Sequence, residues 1–447
     1  MSVTNKILIK NAHVVNEGTI KLQDVLIVGQ RIERIDASLS ATPEMHVIDA
    51  NGRYLLPGAI DDQVHFREPG LTHKASIQTE SRAAVAGGVT TFMEMPNTVP
   101  AALTQELLEQ KYAIASACSP ANYSFFMGVS NDNVEEVLKT NKKKKDICGI
   151  KIFMGSSTGN MLVDNYTVLH KLFSEAELLI ATHCENESII AANKLNYPNP
   201  DHARYHPLIR DVHACYESTL SAIQIAQQYG TRLHVLHIST AKELGLFSNM
   251  LPLKDKKITN EVCVHHLHFT ADDYERLGNQ IKCNPAIKAP ENKEALWKAL
   301  LDDTLDIIAT DHAPHTWEEK QQAYSAAPAG LPLVQHSLQM MLSYVKKGII
   351  SIEKVVEKMA HAPAICFQIA ERGFIREGYY ADLVLVDLDA PSAVTKASLL
   401  YKCQWSPLEG TAFTSSIHTT FVNGAIVYEQ AKVVDGVYGM RLKFDRA

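Results

Sequence analysis

Five residues whose side chains can bind a metal ion lie at or near the ends of apolar runs that are typical of β-strands. They are His65, Lys151, His183, His237 and Asp311. The runs read LLPGAIDDQVH, GIKIF, LLIATH, LHVLH and LDIIATD, and continuous apolar runs indicate parallel strands buried on both faces. If such strands close into a barrel, their carboxyl ends meet at one mouth. Imidazole and carboxylate groups gathered there suit zinc, so the pattern predicts a metal-dependent hydrolase.

Each of these residues also has an ordinary structural interpretation. A lone histidine is often a core residue, and Lys151 could extend its amine to the rim of a barrel. Beside metal ions, however, the amine of Lys151 would have to be neutral or modified, and reaction with CO₂ gives a carbamate that can bridge two cations. Asp311 follows two isoleucines, where an unpaired carboxylate is costly to bury. A metal ion offsets that cost, and the same carboxylate can act as general base and then general acid.

The first strand carries a further polar set. Gln63, His65 and Arg67 alternate, so a regular strand would turn all three side chains to one face. A guanidinium aimed inward needs an acidic partner, and its flat fork suits a carboxylate. By the same parity His234 faces away from His237, and we interpret it as structural.

The positioning elements are eight strand-like runs that alternate with helical patterns such as residues 104–117, 217–229 and 293–303. The strand-like runs are 59–65, 90–96, 122–129, 149–154, 178–184, 233–239, 258–266 and 305–311. This count predicts an α/β protein with a (β/α)8 TIM-like barrel. An open doubly wound sheet is the alternative, but no G-x-G-x-x-G turn follows the first strand.

Both ends of the chain consist of short β-like pieces with Gly and Asn turns. We expect them to fold together as a small β-sandwich domain. The predicted parts are 1–56 and 372–447 for this domain, with the metal-dependent barrel at 57–371.

Composition excludes several classes of protein. Among 447 residues, 46% are hydrophobic and 21% are charged, with a formal net charge of −7, which disfavours nucleic-acid binding. No apolar stretch approaches the roughly 18 residues that span a membrane, and no signal peptide is evident. Eight cysteines without a C-x-x-C pair predict reduced thiols, a cytoplasmic location and no cysteine-based zinc site.

The chain resembles the amidohydrolase superfamily, and within it most closely the dihydroorotase family. The resemblance runs from PGAIDDQVHFREPG to FVNGAIVY, and its most specific stretches are HFREPGLTHK, GGVTTFMEMPNT, KIFMG, HCENE, NPAIK and ATDHAPH. It implies a metal-dependent, reversible hydrolysis of the ring amide of dihydroorotate to N-carbamoyl-aspartate in pyrimidine biosynthesis. Hydantoinase-, dihydropyrimidinase- or allantoinase-type cyclic amidases are the alternative, but as a family pattern they lack an arginine at the position of Arg67.

The resemblance also implies residue roles. Asp311 would be catalytic. The substrate would be bound by Arg67, Asn97, Asn284, His315, Ala329 and Gly330. Zinc would be bound by His65, Lys151, His183, His237 and Asp311, with Lys151 resembling the carboxylated bridging lysine of the superfamily.

One position departs from the family pattern. The first strand normally supplies H-x-H, and here Gln63 replaces the first histidine. A carboxamide oxygen is a weak ligand, so the chain could hold two zinc ions, one zinc ion, or none as a non-catalytic scaffold subunit. The presence of Asp311, Arg67, Asn97 and His315 favours an enzyme.

A homodimer and association with another pyrimidine-pathway enzyme are further expectations, as is a mobile cover formed by residues 316–330.

Overall fold

A computed structural model describes residues 5–155 and 161–446 of the chain. The N-terminal part contains five strands, of which the first two form a long hairpin. They are β1 (Lys6–Asn16), β2 (Thr19–Val28), β3 (Arg31–Asp36), β4 (His46–Asp49) and β5 (Tyr54–Pro57). The first four residues of the alternating N-terminal segment lie outside the described residues.

The middle of the chain alternates short strands with helices. Its strands are β6 (Ala59–Val64), β7 (Val89–Glu94), β8 (Asn122–Phe125), β9 (Met127–Gly128), β10 (Ile150–Phe153), β11 (Ile180–His183), β12 (Leu233–Val235), β13 (Ile258–Cys263) and β14 (Ile307–Ala309). Its α-helices are α1 (Ile77–Ala86), α2 (Gln105–Cys118), α3 (Val134–Leu138), α4 (Tyr166–Glu175), α5 (Glu187–Asn196), α6 (His206–Ile209), α7 (Val212–Tyr229), α8 (Ala241–Leu244), α9 (Val264–His268), α10 (Tyr274–Leu277), α11 (Pro290–Leu301), α12 (Trp317–Lys320), α13 (Ser337–Lys346), α14 (Ile352–Val356) and α15 (Ala362–Phe367).

The C-terminal part returns to strands. They are β15 (Leu383–Asp387), β16 (Ser392–Ala393), β17 (Ala412–Phe413), β18 (Ser416–Val422), β19 (Ala425–Glu429) and β20 (Lys432–Val433). Eight strands of the terminal sheet run in the order β20-β19-β18-β15-β5-β1-β2-β3, and β4 pairs with β1. Strands from the two ends of the chain meet where β5 pairs antiparallel with β15, with Leu55 opposite Leu385. Both termini therefore contribute to one sheet.

The middle strands pair in parallel and in chain order. One sheet runs β6-β7-β8 and the other runs from β9 to β14. Phe126 lies between β8 and β9, and its N–H donates to Glu94 O at 3.0 Å. At the other edge, a parallel bridge joins Val64 to His312, with the His65 N–H donating to His312 O at 2.7 Å. These contacts bring the first and last parallel strands together.

Buried apolar side chains fill the space between the strands and around them. One cluster includes Ile60, Met93, Leu179, Leu236 and Ile307, contributed by or beside strands of both parallel sheets. A larger cluster lies between the strands and the helices. Full burial of each such side chain stabilises the fold by roughly 1.5–3 kcal/mol. Continuous apolar runs therefore reflect burial on both faces, as the sequence predicts.

Local signals in the sequence fix where the longer helices begin and end. The Ser76 hydroxyl accepts from the Thr79 N–H at the start of α1, and the Asp211 carboxylate accepts from the Ala214 N–H at the start of α7. Helix α7 ends at Gly230, whose φ of 67° is accessible to glycine at little cost. The three helices predicted from residues 104–117, 217–229 and 293–303 are present as α2, α7 and α11.

The strands are shorter than predicted in the second half of the region of parallel strands. The predicted run 233–239 is a strand only over β12, and 258–266 becomes helical at Val264. His237 and Asp311 have positive φ values of 41° and 47°, so the backbone has left the extended conformation there. No helix within the described residues combines the length and apolar character needed to cross a lipid bilayer.

Candidate active site

A cavity of about 280 Å³ opens at the carboxyl ends of the parallel strands. It is lined by every site residue predicted from the sequence: Gln63, His65, Arg67, Asn97, Lys151, His183, His237, Asn284, Asp311, His315, Ala329 and Gly330. The structure therefore brings together residues that are up to 267 positions apart in the sequence, from Gln63 to Gly330.

Their placement on the strands differs in detail from the prediction. Lys151 is the second residue of β10 rather than a residue at its end, and β6 stops at Val64. His65 and Arg67 therefore do not reach the cavity by regular strand alternation. Arg67 has a φ of 70°, and this left-handed turn accompanies its entry into the cavity. Positive φ values at Arg67, His237 and Asp311 are strained for residues other than glycine, and such strain is often found at functional sites.

His183 and His237 form one side of the cavity. His183 Nδ1 lies 2.9 Å from His237 Nε2, and both side chains are buried. His183 Nε2 lies 3.1 Å from Glu185 Oε2, which also pairs with Arg210. Burial alone would raise the pKa of Glu185, but the charge of Arg210 and the contact with His183 lower it to about 2. Glu185 is thus an acceptor, so His183 carries its proton on Nε2 and turns the Nδ1 lone pair toward His237.

A second carboxylate holds the backbone of His237. The His237 N–H donates to Glu261 Oε1 at 3.2 Å, and Glu261 Oε2 lies 3.2 Å from His234 Nε2. His234 also contacts Asp62 and Thr259, and it does not line the cavity. Its structural interpretation therefore agrees with its position. Burial and the neighbouring positive groups lower the pKa of His237 well below its usual value, which keeps the ring neutral.

Lys151 is wholly buried between these groups. Its Nζ makes no hydrogen bond to any of the described residues. Burial lowers the pKa of this amine to about 7, although the nearby carboxylates of Asp311 and Glu261 oppose the shift. A neutral amine is the form that reacts with CO₂, so the lowered pKa favours that reaction.

His65 and Asp311 form the other side of the cavity. His65 Nδ1 lies 2.7 Å from Asn97 Oδ1, and His65 Nε2 lies 3.1 Å from Asp311 Oδ1. Because an amide oxygen only accepts, the ring proton belongs on Nδ1 and the Nε2 lone pair faces the carboxylate. Burial lowers the pKa of His65. Two lone pairs that face each other in this way suit a shared cation.

Arg67 and His315 form a polar group at the wall next to Asp311. The Arg67 Nε–H donates to Pro314 O at 3.0 Å, and Arg67 Nη2 lies 3.0 Å from His315 Nε2. Burial lowers the pKa of Arg67 to about 10, so the guanidinium stays charged at neutral pH. Within residues 5–155 and 161–446, no carboxylate forms an ion pair with it at 4.0 Å or less. A buried guanidinium that faces a cavity without a protein carboxylate is suited to bind an acidic ligand.

Charged donors face both ring nitrogens of His315. The Lys74 ammonium can only donate, and it does so to Nδ1 at 3.0 Å. The Arg67 guanidinium, which also only donates, lies 3.0 Å from Nε2, and Ala329 O lies at the same distance from that nitrogen. Burial and the charge of Arg67 lower the pKa of His315 to about 3, so the ring is neutral at physiological pH. Lys74 also pairs with Glu319 at 2.9 Å, which orients the ammonium.

The remaining predicted residues, Asn284, Ala329 and Gly330, line the same cavity, with Ala329 and Gly330 beside His315. Asn284 Oδ1 is 2.9 Å from His206 Nε2, and the Gly330 N–H donates to Lys282 O. Gly330 has a φ of 141°, and a Cβ there would lie 2.3 Å from Ala313 O, so only glycine fits. Segment 316–330 begins with helix α12, and buried Lys320 donates to Pro328 O and Gly330 O. These contacts anchor the segment that the sequence suggests as a mobile cover.

The structure thus adds residues that the sequence analysis did not assign. Lys74 lies within HFREPGLTHK and Glu185 within HCENE, so both belong to stretches already noted for other residues. Arg210 and Glu261 carry no such local signal. All four hold other side chains or the backbone of the cavity residues in place.

The donor atoms in the cavity fit a divalent metal ion. Lys151 Nζ and His237 Nδ1 are buried without a hydrogen-bond partner among the described residues, and the Nε2 lone pair of His65 faces Asp311. Imidazole nitrogens, a carboxylate and a carbamate oxygen are ligands that zinc accepts. Two other buried clusters of possible ligands lie outside this cavity: Cys263, His265 and His266, and Asp62, His234 and Glu261. His266 Nε2 lies 3.1 Å from Pro285 O, which agrees with a packing role for this pair of histidines.

Comparison with known sequences identifies relatives along nearly the whole chain. The model of the amidohydrolase family matches residues 54–427. A dihydroorotase from Methanosarcina acetivorans is 32% identical over 412 residues, which are 90% of this chain and 88% of the relative. A dihydroorotase from Halalkalibacterium halodurans is 31% identical over 436 residues, which are 96% of this chain and 99% of the relative.

Comparison with solved structures gives a different subgroup. The L-hydantoinase (dihydropyrimidinase) from Arthrobacter aurescens has a TM-score of 0.92 and 27% identity, and the match covers 99% of this chain and 100% of that one. The dihydropyrimidinase from Brevibacillus agri has a TM-score of 0.87 and 26% identity, over 99% of this chain and 100% of that one. Both comparisons agree on the wider group, and the chain belongs to the amidohydrolase family as a cyclic amidohydrolase.

Proposed function

We propose that the protein is a dihydroorotase, which reversibly hydrolyses the ring amide of (S)-dihydroorotate to N-carbamoyl-L-aspartate in pyrimidine biosynthesis. The observation that carries this proposal is the buried Arg67 guanidinium, which faces the cavity beside His315 and has no protein carboxylate partner among the described residues. Dihydroorotate presents a ring carboxylate that the guanidinium can bind. The relatives at about 30% identity that are named dihydroorotases support the same substrate.

The proposed fold is a closed (β/α)8 barrel with a small β-sandwich domain built from both termini. The parallel pairing in chain order and the bridge from Val64 to His312 support closure of the barrel. The pairing of β5 with β15 supports a joint terminal domain. We keep the boundaries 1–56, 57–371 and 372–447 for its three parts.

The proposed metal is zinc, held by Lys151, His183 and His237 on one side and by His65 and Asp311 on the other. Bound zinc supplies a Lewis acid that activates water and polarises a carbonyl oxygen. The isolation of the Lys151 amine and its lowered pKa support carboxylation of this side chain.

The residues around the metal site carry the rest of the mechanism. Arg67 and His315 bind the substrate carboxylate, and Asn97 and Asn284 contact the ring. This binding fixes the ring so that the amide carbonyl next to the methylene group lies beside Asp311. Asp311 accepts the proton of the attacking water and then delivers it to the ring nitrogen as the carbon–nitrogen bond breaks. In the reverse direction the same residues close the ring.

Metal removal tests this proposal on the unmodified protein. We expect a chelator to abolish hydrolysis of dihydroorotate and added zinc to restore it. In protein prepared with ¹³C-bicarbonate, we expect a carbamate carbon resonance that is absent from Lys151→Ala. Turnover that survives complete metal removal, as measured by elemental analysis, would contradict the proposed site.

Lys74 gives a test of the carboxylate-binding wall. Without its ammonium, His315 loses the partner at Nδ1 that holds its ring beside Arg67. We expect Lys74→Met to raise the KM for dihydroorotate about tenfold, the value of roughly one hydrogen bond, with kcat changed much less. Lys402→Met is the matched control, because Lys402 contacts the same loop at Thr72 O but not His315. An equal fall of kcat and kcat/KM would contradict a role in substrate binding alone.

A hydantoinase- or dihydropyrimidinase-type activity is the second candidate, and the likeness to solved hydantoinases favours it. Substrates without a carboxylate would then be turned over best. A non-catalytic scaffold subunit would turn over none of these substrates.

A homodimer and association with another pyrimidine-pathway enzyme remain predictions. A cytoplasmic location is also a prediction, which the eight free cysteines support.

A further inference from the structure

Gln63 lies in the cavity between a possible metal ligand and a thiol. The side chain is buried, with 1% of its surface exposed. Its Nε2 lies 3.3 Å from Asp311 Oδ1, and its Oε1 lies 3.7 Å from Cys263 Sγ. The two ends of the carboxamide therefore face two different neighbours.

The chemistry of these neighbours fixes which end is which. A carboxylate can only accept a hydrogen bond, and a thiol can donate its hydrogen. With Nε2 toward Asp311 and Oε1 toward Cys263, a donor meets an acceptor in both contacts. A flipped amide would place two oxygens against each other at Asp311 and would leave the thiol facing amide hydrogens. Gln63 thus presents hydrogens, and not an oxygen lone pair, to the side of Asp311.

The backbone around Gln63 is also held in place. The Gln63 N–H donates to Asp61 Oδ1 at 3.3 Å, and the Thr310 hydroxyl donates to Asp61 Oδ2 at 2.6 Å. Thr310 directly precedes Asp311. The carboxylate of Asp61 therefore ties the segment that carries Gln63 to the segment that carries Asp311, and this tie favours the amide–carboxylate contact.

The possible ligands then divide into two unequal groups. Lys151, His183 and His237 are three ligands on one side of the cavity. On the other side the described residues supply His65 and Asp311, with at most a shared oxygen from a carboxylated Lys151. A cation there would meet the partial positive charge of the Gln63 amide hydrogens. Catalytic zinc sites usually have three protein ligands and one open position. Only the first group contains three possible ligands when Asp311 is left out of the count.

We propose that Gln63 is not a metal ligand but a hydrogen-bond donor to Asp311, and that the chain retains one divalent metal ion, at Lys151, His183 and His237. This inference rests on the proposed metal-dependent function. It adds the number of metal ions per chain and the role of Gln63. Asp311, oriented by Gln63, remains available for proton transfer.

Metal content measured on the resting protein tests the proposal. Protein produced with excess zinc is dialysed against metal-free buffer, and zinc per chain is determined by elemental analysis. We expect one equivalent for the unmodified chain, one for Gln63→Ala and two for Gln63→His, because an imidazole at position 63 supplies a further ligand to the second group. Thermal unfolding of each variant shows that the fold is retained. With cobalt in place of zinc, we expect magnetic coupling between two ions only in Gln63→His.

Three results would overturn the proposal: two equivalents in the unmodified chain, less metal in Gln63→Ala than in the unmodified chain, or a single equivalent in folded Gln63→His. The metal count does not depend on the substrate. A chain that retains one zinc ion but does not hydrolyse dihydroorotate would refute the proposed function and leave this inference standing.

Discussion

Asp311→Asn is expected to reduce kcat for dihydroorotate about 10³-fold or more. Asparagine keeps the size of the side chain and can still contact Gln63 and His65, but it cannot accept a proton from water at neutral pH. General acid–base catalysis typically contributes between about 10² and 10⁴ to the rate, and Asp311 is proposed to act in both steps. The measurement is kcat in both directions, with dihydroorotate and with carbamoyl-aspartate.

The control for this variant is Asp302→Asn. Asp302 is an exposed carboxylate just past the end of α11, so its loss leaves the cavity unchanged. Zinc content is measured on both variants, because loss of metal and loss of the proton acceptor would both lower kcat. If Asp311→Asn retains turnover within tenfold of the unmodified chain, Asp311 is not the proton carrier.

Arg67→Met is expected to lower kcat/KM for dihydroorotate by about 10³ to 10⁴. When one partner of a buried polar contact between site and substrate is removed, the other partner is left buried and unpaired. The loss in kcat/KM is then large. For dihydrouracil, which is the same ring without the carboxylate, we expect a change of less than about tenfold. The measured quantity is the ratio of the two kcat/KM values.

Arg67→Lys is the matched variant for this test. It keeps the charge but loses the flat fork, so we expect a loss for dihydroorotate that is intermediate between the unmodified chain and Arg67→Met. Equal losses for both substrates in Arg67→Met would show that the guanidinium supports the cavity rather than binding a carboxylate.

Much of the cavity could be predicted because parallel strands place their carboxyl ends at one edge. His183 ends β11 and His65 directly follows β6, so their positions depend on strand order alone. Because burial on both faces makes these strands continuously apolar, their positions can be predicted from the sequence. The terminal sheet could be predicted for a related reason, since alternating pieces at both ends need partners.

Other features depend on contacts that no local pattern encodes. Arg210 reaches Glu185 from a separate helical segment, and Lys74 meets His315 from 241 positions away. Strands β12 and β14 end shortly before His237 and Asp311, whose backbones have positive φ values. A histidine or an aspartate in an apolar run does not by itself predict a positive φ. The orientation of Gln63 likewise depends on Cys263, 200 positions later.

The sequence comparison gives dihydroorotases, whereas the structural comparison gives hydantoinases. The cavity is compatible with both results. The fold is shared across the family, so structural likeness to hydantoinases reflects the scaffold. Arg67, His315 and Lys74 form the wall that we propose binds the substrate carboxylate. In this proposal substrate preference follows from this wall rather than from the fold.

The most direct measurement is kcat/KM of the unmodified, zinc-loaded protein for dihydroorotate, dihydrouracil and hydantoin under one set of conditions. A guanidinium held ready for a carboxylate predicts a value for dihydroorotate at least about 100-fold above the other two. Equal values, or a preference for either substrate that lacks the carboxylate, would contradict the account.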